Sequence, residues 1–242
     1  MDELLKKIND LNNRCINKNI ITFTNFLTPT EKQQIIINLK DTKVIFFGGK
    51  ENSERVRAFF LPEYINEVDF SQYIIVLKAE FSFKNLSHRD FLGSLLSLGI
   101  DRKCIGDILV FEKEAYFFVT KDISKFVITN LTKVGNIGVK ISQVGFDDVP
   151  DLKPKFKEIN FTVSSLRLDS IVAGAIKESR EKTSSYIKNG LVLLNYIECV
   201  DVSKEVKEND IFSVKGYGKF ILSEIGGKSR REKIFIKVNK YV

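Results

Sequence analysis

Few side chains in this 242-residue sequence are suited to acid–base, redox or metal chemistry. His88 is its one histidine, and its three cysteines, Cys15, Cys104 and Cys199, lie far apart and form no CxxC pair. Most metal sites and acid–base sites use two or more histidines, cysteines or clustered carboxylates. We therefore expect reduced, structural thiols, with no metal ion, no cofactor, no small-molecule substrate and no disulfide framework.

Three short motifs match catalytic patterns only in part. His88–Asp90 is shared with the kinase catalytic loop, but Leu95 stands where that loop requires Asn. Gly48–Lys50 lacks the other residues of a phosphate-binding loop and is more typical of a turn. Arg167–Asp169 resembles the nucleophile stretch of pseudouridine synthases, but only about 70 residues follow it, too few for their catalytic domain. We expect no enzyme, and an RNA-modifying enzyme of this type stays as an alternative.

Positive charge is concentrated in the last third of the chain. The formal net charge is +7, and residues 160–242, with 15 basic and 10 acidic side chains, contribute +5 of it. A polyanion is a natural partner of such a segment, because each neutralised phosphate releases condensed counterions. A solvated basic face would show the same excess.

Residues 166–219 contain the most specific pattern, and this pattern resembles the S4 RNA-binding domain. The S4 pattern begins with two helix starts, here Arg167–Asp169 and Ser179–Arg180. A turn, a strand end, an acid and a glycine pair follow in the S4 order, here Lys188–Val192, Asn195, Asp210 and Gly216–Gly218. Tyr196 and Asn209 stand where S4 domains usually have glycine. Ser179 can cap the second helix, which places Arg180, Lys182 and Lys188 along it. We expect this helix pair to bind the phosphates and shape of structured RNA.

A second pattern covers most of the remaining chain. Residues 88–108, HRDFLGSLLSLGIDRKCIGDI, follow a capping box of Ser87 and Asp90 and end their helix at Gly99. Together with residues 46–62, FFGGKENSERVRAFFLP, they resemble the YlmH family of S4-domain proteins. The resemblance implies a bacterial cytoplasmic protein linked to the large ribosomal subunit, to quality control of stalled nascent chains and, in some species, to cell division. Its partners would be ribosomal RNA and, in a stalled complex, tRNA; a protein-interaction adaptor is a further alternative.

The helices and strands expected from the sequence pattern form an α+β chain of three parts. Residues 1–66 form a small N-terminal unit with helices at 2–12 and 29–39 and a strand at 44–47. Residues 67–155 follow the β-α-β-β-α-β order of ferredoxin-like and RNA-recognition domains. Residues 147–161 are predicted to be a connector, and 160–242 form the S4 domain with helices at 169–178 and 180–188. No stretch is apolar enough for a membrane span or a signal peptide, so we expect no membrane partner and a cytoplasmic protein.

Aromatic residues 116–118 on a predicted middle strand could stack on RNA bases, although a core position is the more common use of such residues. The basic residues near the two ends of the predicted helix that begins at His88 could contact RNA or have a structural role, and the sequence favours neither. The residues that we predict to bind RNA are Arg167, Ser179, Arg180, Lys182, Thr183, Lys188, Lys215, Lys219, Lys228, Arg230, Arg231, His88, Arg89, Arg102 and Lys103.

Overall fold

The computed structural model describes residues 2–39, 43–82, 86–151 and 156–241. The chain forms two compact units, Met1–Leu152 and Lys153–Val242, and each combines helices with antiparallel sheets. The predicted α+β class is therefore confirmed. A further division of the first unit near residue 66 stays a prediction. Within the described ranges, no helix has the length and apolar character that crossing a membrane requires.

The first unit begins with two helices and a three-stranded sheet. Their bounds are α1 Asp2–Lys18, β1 Thr22–Phe23, α2 Pro29–Asn38, β2 Val44–Phe47 and β3 Arg57–Phe60. The sheet has the order β1-β3-β2, and its pairs are antiparallel. The predicted end of α1 at residue 12 is wrong. The helix continues because Leu4, Ile8, Leu11 and Cys15 recur at helical spacing and pack into one core.

The middle of this unit has the predicted β-α-β-β-α-β order, interrupted by one small hairpin. The bounds are β4 Ile74–Glu80, α3 His88–Ser97, β5 Ile105–Val110, β6 Glu114–Thr120, α4 Lys121–Asn130, β7 Lys133–Val134, β8 Ile137–Gly138 and β9 Lys140–Val144. The main sheet has the order β5-β6-β4-β9 with antiparallel neighbours, which is the ferredoxin-like arrangement. The capping box of Ser87 and Asp90 begins α3 as predicted.

Both faces of this four-stranded sheet are buried. Phe117 lies in a core that includes side chains of α3 and α4. Tyr116 and Phe118 point to the opposite face, where they pack with Phe26 and Phe59 from the N-terminal part. The more common use of these three aromatic residues, as core, is confirmed. None of them is left exposed for stacking on a base.

The glycine pair between β2 and β3 forms a turn, as predicted. Gly49 has a φ of 112°, and a Cβ at this position would overlap the ring of Phe118. A Cβ on Gly48 would overlap the carbonyl oxygen of Arg55. Only glycine allows the loop to pass this close to the middle sheet.

The second unit is a six-stranded antiparallel sheet with two helices on one face. Its bounds are β10 Phe156–Val163, α5 Leu168–Ile176, α6 Arg180–Lys188, β11 Val192–Leu194, β12 Ile197–Glu198, β13 Ile211–Val214, β14 Gly218–Lys228 and β15 Ile234–Tyr241. The strand order is β10-β15-β14-β13-β11-β12. Alternate strand residues, among them Phe212, Phe220 and Val238, form one core with Ile171 of α5 and Ile187 of α6. Among residues 156–241, no helix packs on the opposite face of the sheet.

The predicted connector at residues 147–161 is wrong from Phe156 onward. Strand β10 begins there and pairs with β15 along its whole length. Ile159, Phe161 and Val163 point into the core, and Glu158 is exposed between them. This alternation is typical of a strand with one buried face, and it was visible in the sequence. Residues 152–155 of the predicted connector lie outside the described residues.

The two positions at which the chain departs from the S4 pattern both have a left-handed backbone. Tyr196 has a φ of 65° and Asn209 a φ of 69°. Asn195, with a φ of 49°, completes the tight turn between β11 and β12. Its side chain donates to Asp210 at 2.8 Å and accepts from the backbone N–H of Ile211 at 3.0 Å. Both positions therefore adopt a left-handed backbone without glycine, at a cost of about 1–2 kcal/mol for a residue with a Cβ.

Candidate nucleic-acid interface

The starts of α5 and α6 meet at one buried carboxylate. Asp169, whose side chain is 6% exposed, accepts hydrogen bonds from Arg167 Nε at 3.1 Å and from Arg180 Nη2 at 2.7 Å. The side chains of these two arginines are 42% and 52% exposed. One buried acid thus orients two half-exposed guanidinium groups on the helix pair that the S4 pattern predicts to bind RNA.

The arginines also determine the charge of this cluster. Burial alone would raise the pKa of Asp169, but hydrogen bonds from Arg180 and Arg167 outweigh burial and lower that pKa below its ordinary value. The ionised carboxylate and two guanidinium groups together carry one net positive charge. Charge-assisted hydrogen bonds from oriented guanidinium groups are well suited to phosphate oxygens.

Ser179 begins α6 as predicted, because its Oγ accepts from the backbone N–H of Lys182 at 3.2 Å. The prediction that Thr183 binds RNA is wrong. Thr183 is completely buried, and its hydroxyl donates to the carbonyl of Ser179 at 2.9 Å. The hydroxyl therefore faces the preceding helical turn and cannot reach a bound nucleic acid.

Lys182 belongs to a hydrogen-bonded chain that joins α6 to the turn before β14. Its ammonium donates to Glu178 Oε1 at 2.8 Å, and the hydroxyl of Tyr217 donates to the same oxygen at 2.8 Å. The hydroxyls of Tyr217 and Tyr186 lie 3.5 Å apart. Interactions with Tyr186 and Glu178 raise the pKa of Tyr217, so this phenol stays protonated. The S4 pattern marked the glycines around Tyr217 but gave no sign of this chain.

The other predicted lysines of the second unit are distributed over more than one surface. Lys188 is exposed at the end of α6, and Lys215 is exposed in the turn before β14. Lys219 lies on β14 next to the core residue Phe220, so it points to the face of the sheet opposite α5 and α6. There its ammonium lies 4.2 Å from the ring centroid of Tyr241.

The hairpin between β14 and β15 carries the last group of predicted cations. All three are exposed: Lys228, Arg230 and Arg231. Lys228 forms an ion pair with Glu232 at 2.9 Å. Because Val163 pairs with Ile234, the chain leaves β10 toward Arg167 at the same end of the sheet as this hairpin. The fold thus brings the hairpin cations and the start of α5 to one end of the second unit.

In the first unit, His88, Arg89 and Lys103 are exposed, whereas Arg102 is half-buried. Partial burial and the charge of Arg102 lower the pKa of His88. The guanidinium of Arg102 donates to the carbonyl of Ile105 at 2.6 Å, and burial lowers its pKa to about 10. Arg102 therefore has a structural role, and RNA contact stays a prediction for all four residues.

Asp107 on β5 is a structural residue that the sequence patterns did not indicate. Its carboxylate accepts from the backbone N–H of Glu54 at 2.7 Å and from that of Arg55 at 3.0 Å. Arg55 in turn donates to the carbonyl of Ile105 at 3.0 Å. Burial raises the pKa of Asp107. An acid inside the apolar strand Ile105–Val110 was the available signal, and its role is to hold the loop between β2 and β3 against β5.

Comparisons with known proteins agree with an RNA-related chain. A family model described as "Putative RNA-binding domain in YlmH" matches residues 66–148. A relative from Bacillus subtilis (strain 168), named ribosome-associated protein quality control protein P2, is 34% identical over 218 residues, which cover 87% of this chain and 83% of that protein. A solved structure, the cell division protein ylmH from Streptococcus pneumoniae, has a TM-score of 0.50 and 24% identity, and covers 62% of this chain and 89% of that chain. This last likeness shows the fold alone.

Proposed function

The chain belongs to the YlmH family, and from that membership we propose that it is a non-catalytic RNA-binding factor of the large ribosomal subunit. It acts in the cytoplasm, in quality control of ribosomes that carry a stalled nascent chain. Its partners are ribosomal RNA and, on a stalled subunit, tRNA. The name of the Bacillus subtilis relative and the family description of residues 66–148 support this proposal.

The observation that carries the proposal is the cluster of Arg167, Asp169 and Arg180. Arg167 uses two of its five N–H donors on Asp169, and Arg180 uses one. The half-exposed side chains keep donors for a phosphate, and Asp169 fixes their direction before RNA arrives. Pre-orientation lowers the side-chain entropy that binding removes. The hairpin cations at the same end of the unit extend this surface along a phosphate backbone.

The fold favours binding over catalysis at Asp169. In a pseudouridine synthase this Asp would act as a nucleophile on a base, which requires an accessible carboxylate oxygen. Here both oxygens accept hydrogen bonds from arginines, and the side chain is 6% exposed. A residue in this environment positions its neighbours.

The matched family domain, residues 66–148, contacts RNA through its surface loops and helix starts. Both faces of its sheet are occupied by the cores described above. The exposed side chains of His88 and Arg89 at the start of α3, with Lys103, are its candidate contacts. The sheet supports these residues without touching RNA itself.

Gradient sedimentation of a lysate tests the proposal. Reversing the charge of Arg180 alone would place two carboxylates together in a buried site, so a charge-balanced variant is preferable. Asp169→Asn combined with Arg180→Gln removes one acid and one cation and leaves neutral groups able to hydrogen-bond. We expect tagged wild-type protein to sediment with the large subunit, and the variant to remain mostly at the top.

The matched control is Glu224→Gln combined with Lys237→Gln. It removes an ion pair of 3.0 Å from the second unit without touching the helix pair. We expect it to sediment like the wild type. Equal sedimentation of all three proteins with the subunit would contradict a role for the helix pair, and wild-type protein that stays at the top would contradict ribosome binding.

A further inference from the structure

A row of aromatic rings crosses the face of the six-stranded sheet that α5 and α6 do not cover. Phe156 on β10 contacts Tyr241 on β15, with ring centroids 4.9 Å apart. Lys219 on β14 lies 4.2 Å from the ring centroid of Tyr241 and 5.9 Å from that of Tyr196. Tyr196, Lys219, Tyr241 and Phe156 therefore form one continuous row, which we call the aromatic row.

The aromatic row lies on the surface. Phe156 is 43% exposed, and the other three residues are half-buried. On β14 the residue after Lys219, Phe220, points into the core on the helix side, and Phe156 pairs directly with Tyr241 on the other face. The row is thus separated from the helix pair by the thickness of the sheet, and it is not part of the surface proposed above.

The chemistry around the row indicates what it binds. An open groove of about 490 Å³ adjoins it and is lined by the apolar side chains of Leu191 and Leu193 as well as by Lys215 and Lys219. The position of Lys219 between aromatic rings suits a ligand with flat rings and negative charge, whereas an apolar partner would take its ammonium group out of water. Three acids, Glu158, Glu198 and Glu224, also lie on this face. This face is therefore less basic than the face with the helices. We expect stacking to contribute more than charge to binding at the row.

We propose that the aromatic row is a binding site for single-stranded RNA, in which Tyr196, Tyr241 and Phe156 stack on bases and Lys219 contacts the intervening phosphate. Aromatic stacking accepts every base, so the site has little sequence preference. The second unit then binds two kinds of RNA on opposite faces: a folded RNA at the helix pair and an unpaired strand at the row. This proposal does not depend on ribosome binding by the helix pair.

Fluorescence anisotropy with purified full-length protein tests the row, using fluorescein-labelled oligouridylate and an abasic oligomer of the same length. We expect the wild type to bind oligouridylate at least about five-fold more tightly than the abasic oligomer, because stacking is lost with the bases. Phe156→Ala with Tyr241→Ala should weaken oligouridylate binding by at least about five-fold, and Lys219→Gln by a smaller factor.

Phe235→Ala is the matched control. Phe235 is 52% exposed on the same sheet face, but it lies at the opposite end of β15 from Tyr241. It should bind oligouridylate like the wild type, and circular dichroism should show that all variants keep their fold. The Asp169→Asn/Arg180→Gln protein should also retain this binding, which separates the row from the helix pair. Wild-type protein that binds neither oligomer, equal affinity for the abasic oligomer, or an equal loss in Phe235→Ala would overturn the proposal and leave the face to a protein partner.

Discussion

The two large sheets of this protein differ in what covers them. The middle sheet has the strand order of RNA-recognition domains, but side chains of α3 and α4 fill one of its faces and the N-terminal part fills the other. The sheet of the second unit has helices on one face and carries lysines and half-exposed rings on the other. Likeness to an RNA-binding fold therefore does not locate the RNA-binding face; what packs on each face decides it.

The difference is visible in the strands themselves. In β4, Ile75 and Leu77 face one core while Ile74 and Val76 face the other, so the first four residues of the strand are all apolar. In β15, the core residues Ile236 and Val238 alternate with the polar residues Lys237 and Asn239. A continuous apolar run indicates a strand buried on both faces, and alternation indicates one open face.

The largest loss of stability should come from removing an aromatic ring of the middle sheet, which is covered on both faces. Phe118→Ala deletes a side chain that is 1% exposed between the two parts of the first unit, and should lower the free energy of unfolding by about 3–5 kcal/mol. Tyr241→Ala on the open sheet should cost about 1 kcal/mol or less. Urea unfolding followed by circular dichroism measures both. Equal losses would show that the open face is part of a core.

A smaller effect distinguishes the two buried carboxylates, because their contributions to the free energy of unfolding change with pH in opposite directions. The pKa of Asp169 is lowered in the fold, so its contribution to stability is complete above its unfolded pKa of about 3.9 and is lost as the pH falls through the folded value. The pKa of Asp107 is raised by burial, so ionisation destabilises the fold as the pH rises above about 3.9. The two units should respond to acid in opposite directions at these positions.

Unfolding of Asp169→Asn and Asp107→Asn between neutral and acid pH checks this. Asp169→Asn should cost about 1–3 kcal/mol at neutral pH, since it weakens hydrogen bonds to charged groups, and its deficit should shrink on acidification. The deficit of Asp107→Asn relative to the wild type should instead grow. The same trend in both variants would contradict the assignment of the two shifts.

The smallest effect concerns Tyr196. Its left-handed backbone costs about 1–2 kcal/mol, and glycine would relieve this strain while losing about 0.5–1 kcal/mol of chain entropy. Tyr196→Gly should therefore stabilise the second unit by about 0.5–1 kcal/mol and at the same time weaken oligouridylate binding. A thermal melt and an anisotropy titration give the two values. A glycine variant that is both less stable and unchanged in binding would show that the tyrosine is retained for packing.

Sequence patterns predicted those features that depend on neighbours along the chain. The capping box of Ser87 and Asp90, the helix α6 and the strand order of the middle sheet are of this kind, because hydrophobic period and cap residues are local signals. The burial of Thr183 could also have been predicted, since it lies one helical turn before the core residue Ile187.

Features that join distant segments could not be predicted. The pairing of Asp169 with Arg180 depends on how two helices pack, and the aromatic row depends on the pairing of four separate strand regions. The covering of Tyr116 and Phe118 requires contact with residues about 60–90 positions earlier, such as Phe26 and Phe59. No periodicity within a strand specifies its partner in another part of the fold.

The pairing of β10 with β15 has a consequence for the order of folding during synthesis. These strands are joined by pairs of residues 71 to 85 positions apart, from Val163 with Ile234 to Phe156 with Tyr241. Contacts of such sequence separation form late, because the loop between them must close first. The strand that completes this sheet can be placed only after residues 234–241 have left the ribosome that makes them. Until then α5 and α6 are present without a closed sheet beneath them, so the second unit can be completed only after β15 has emerged.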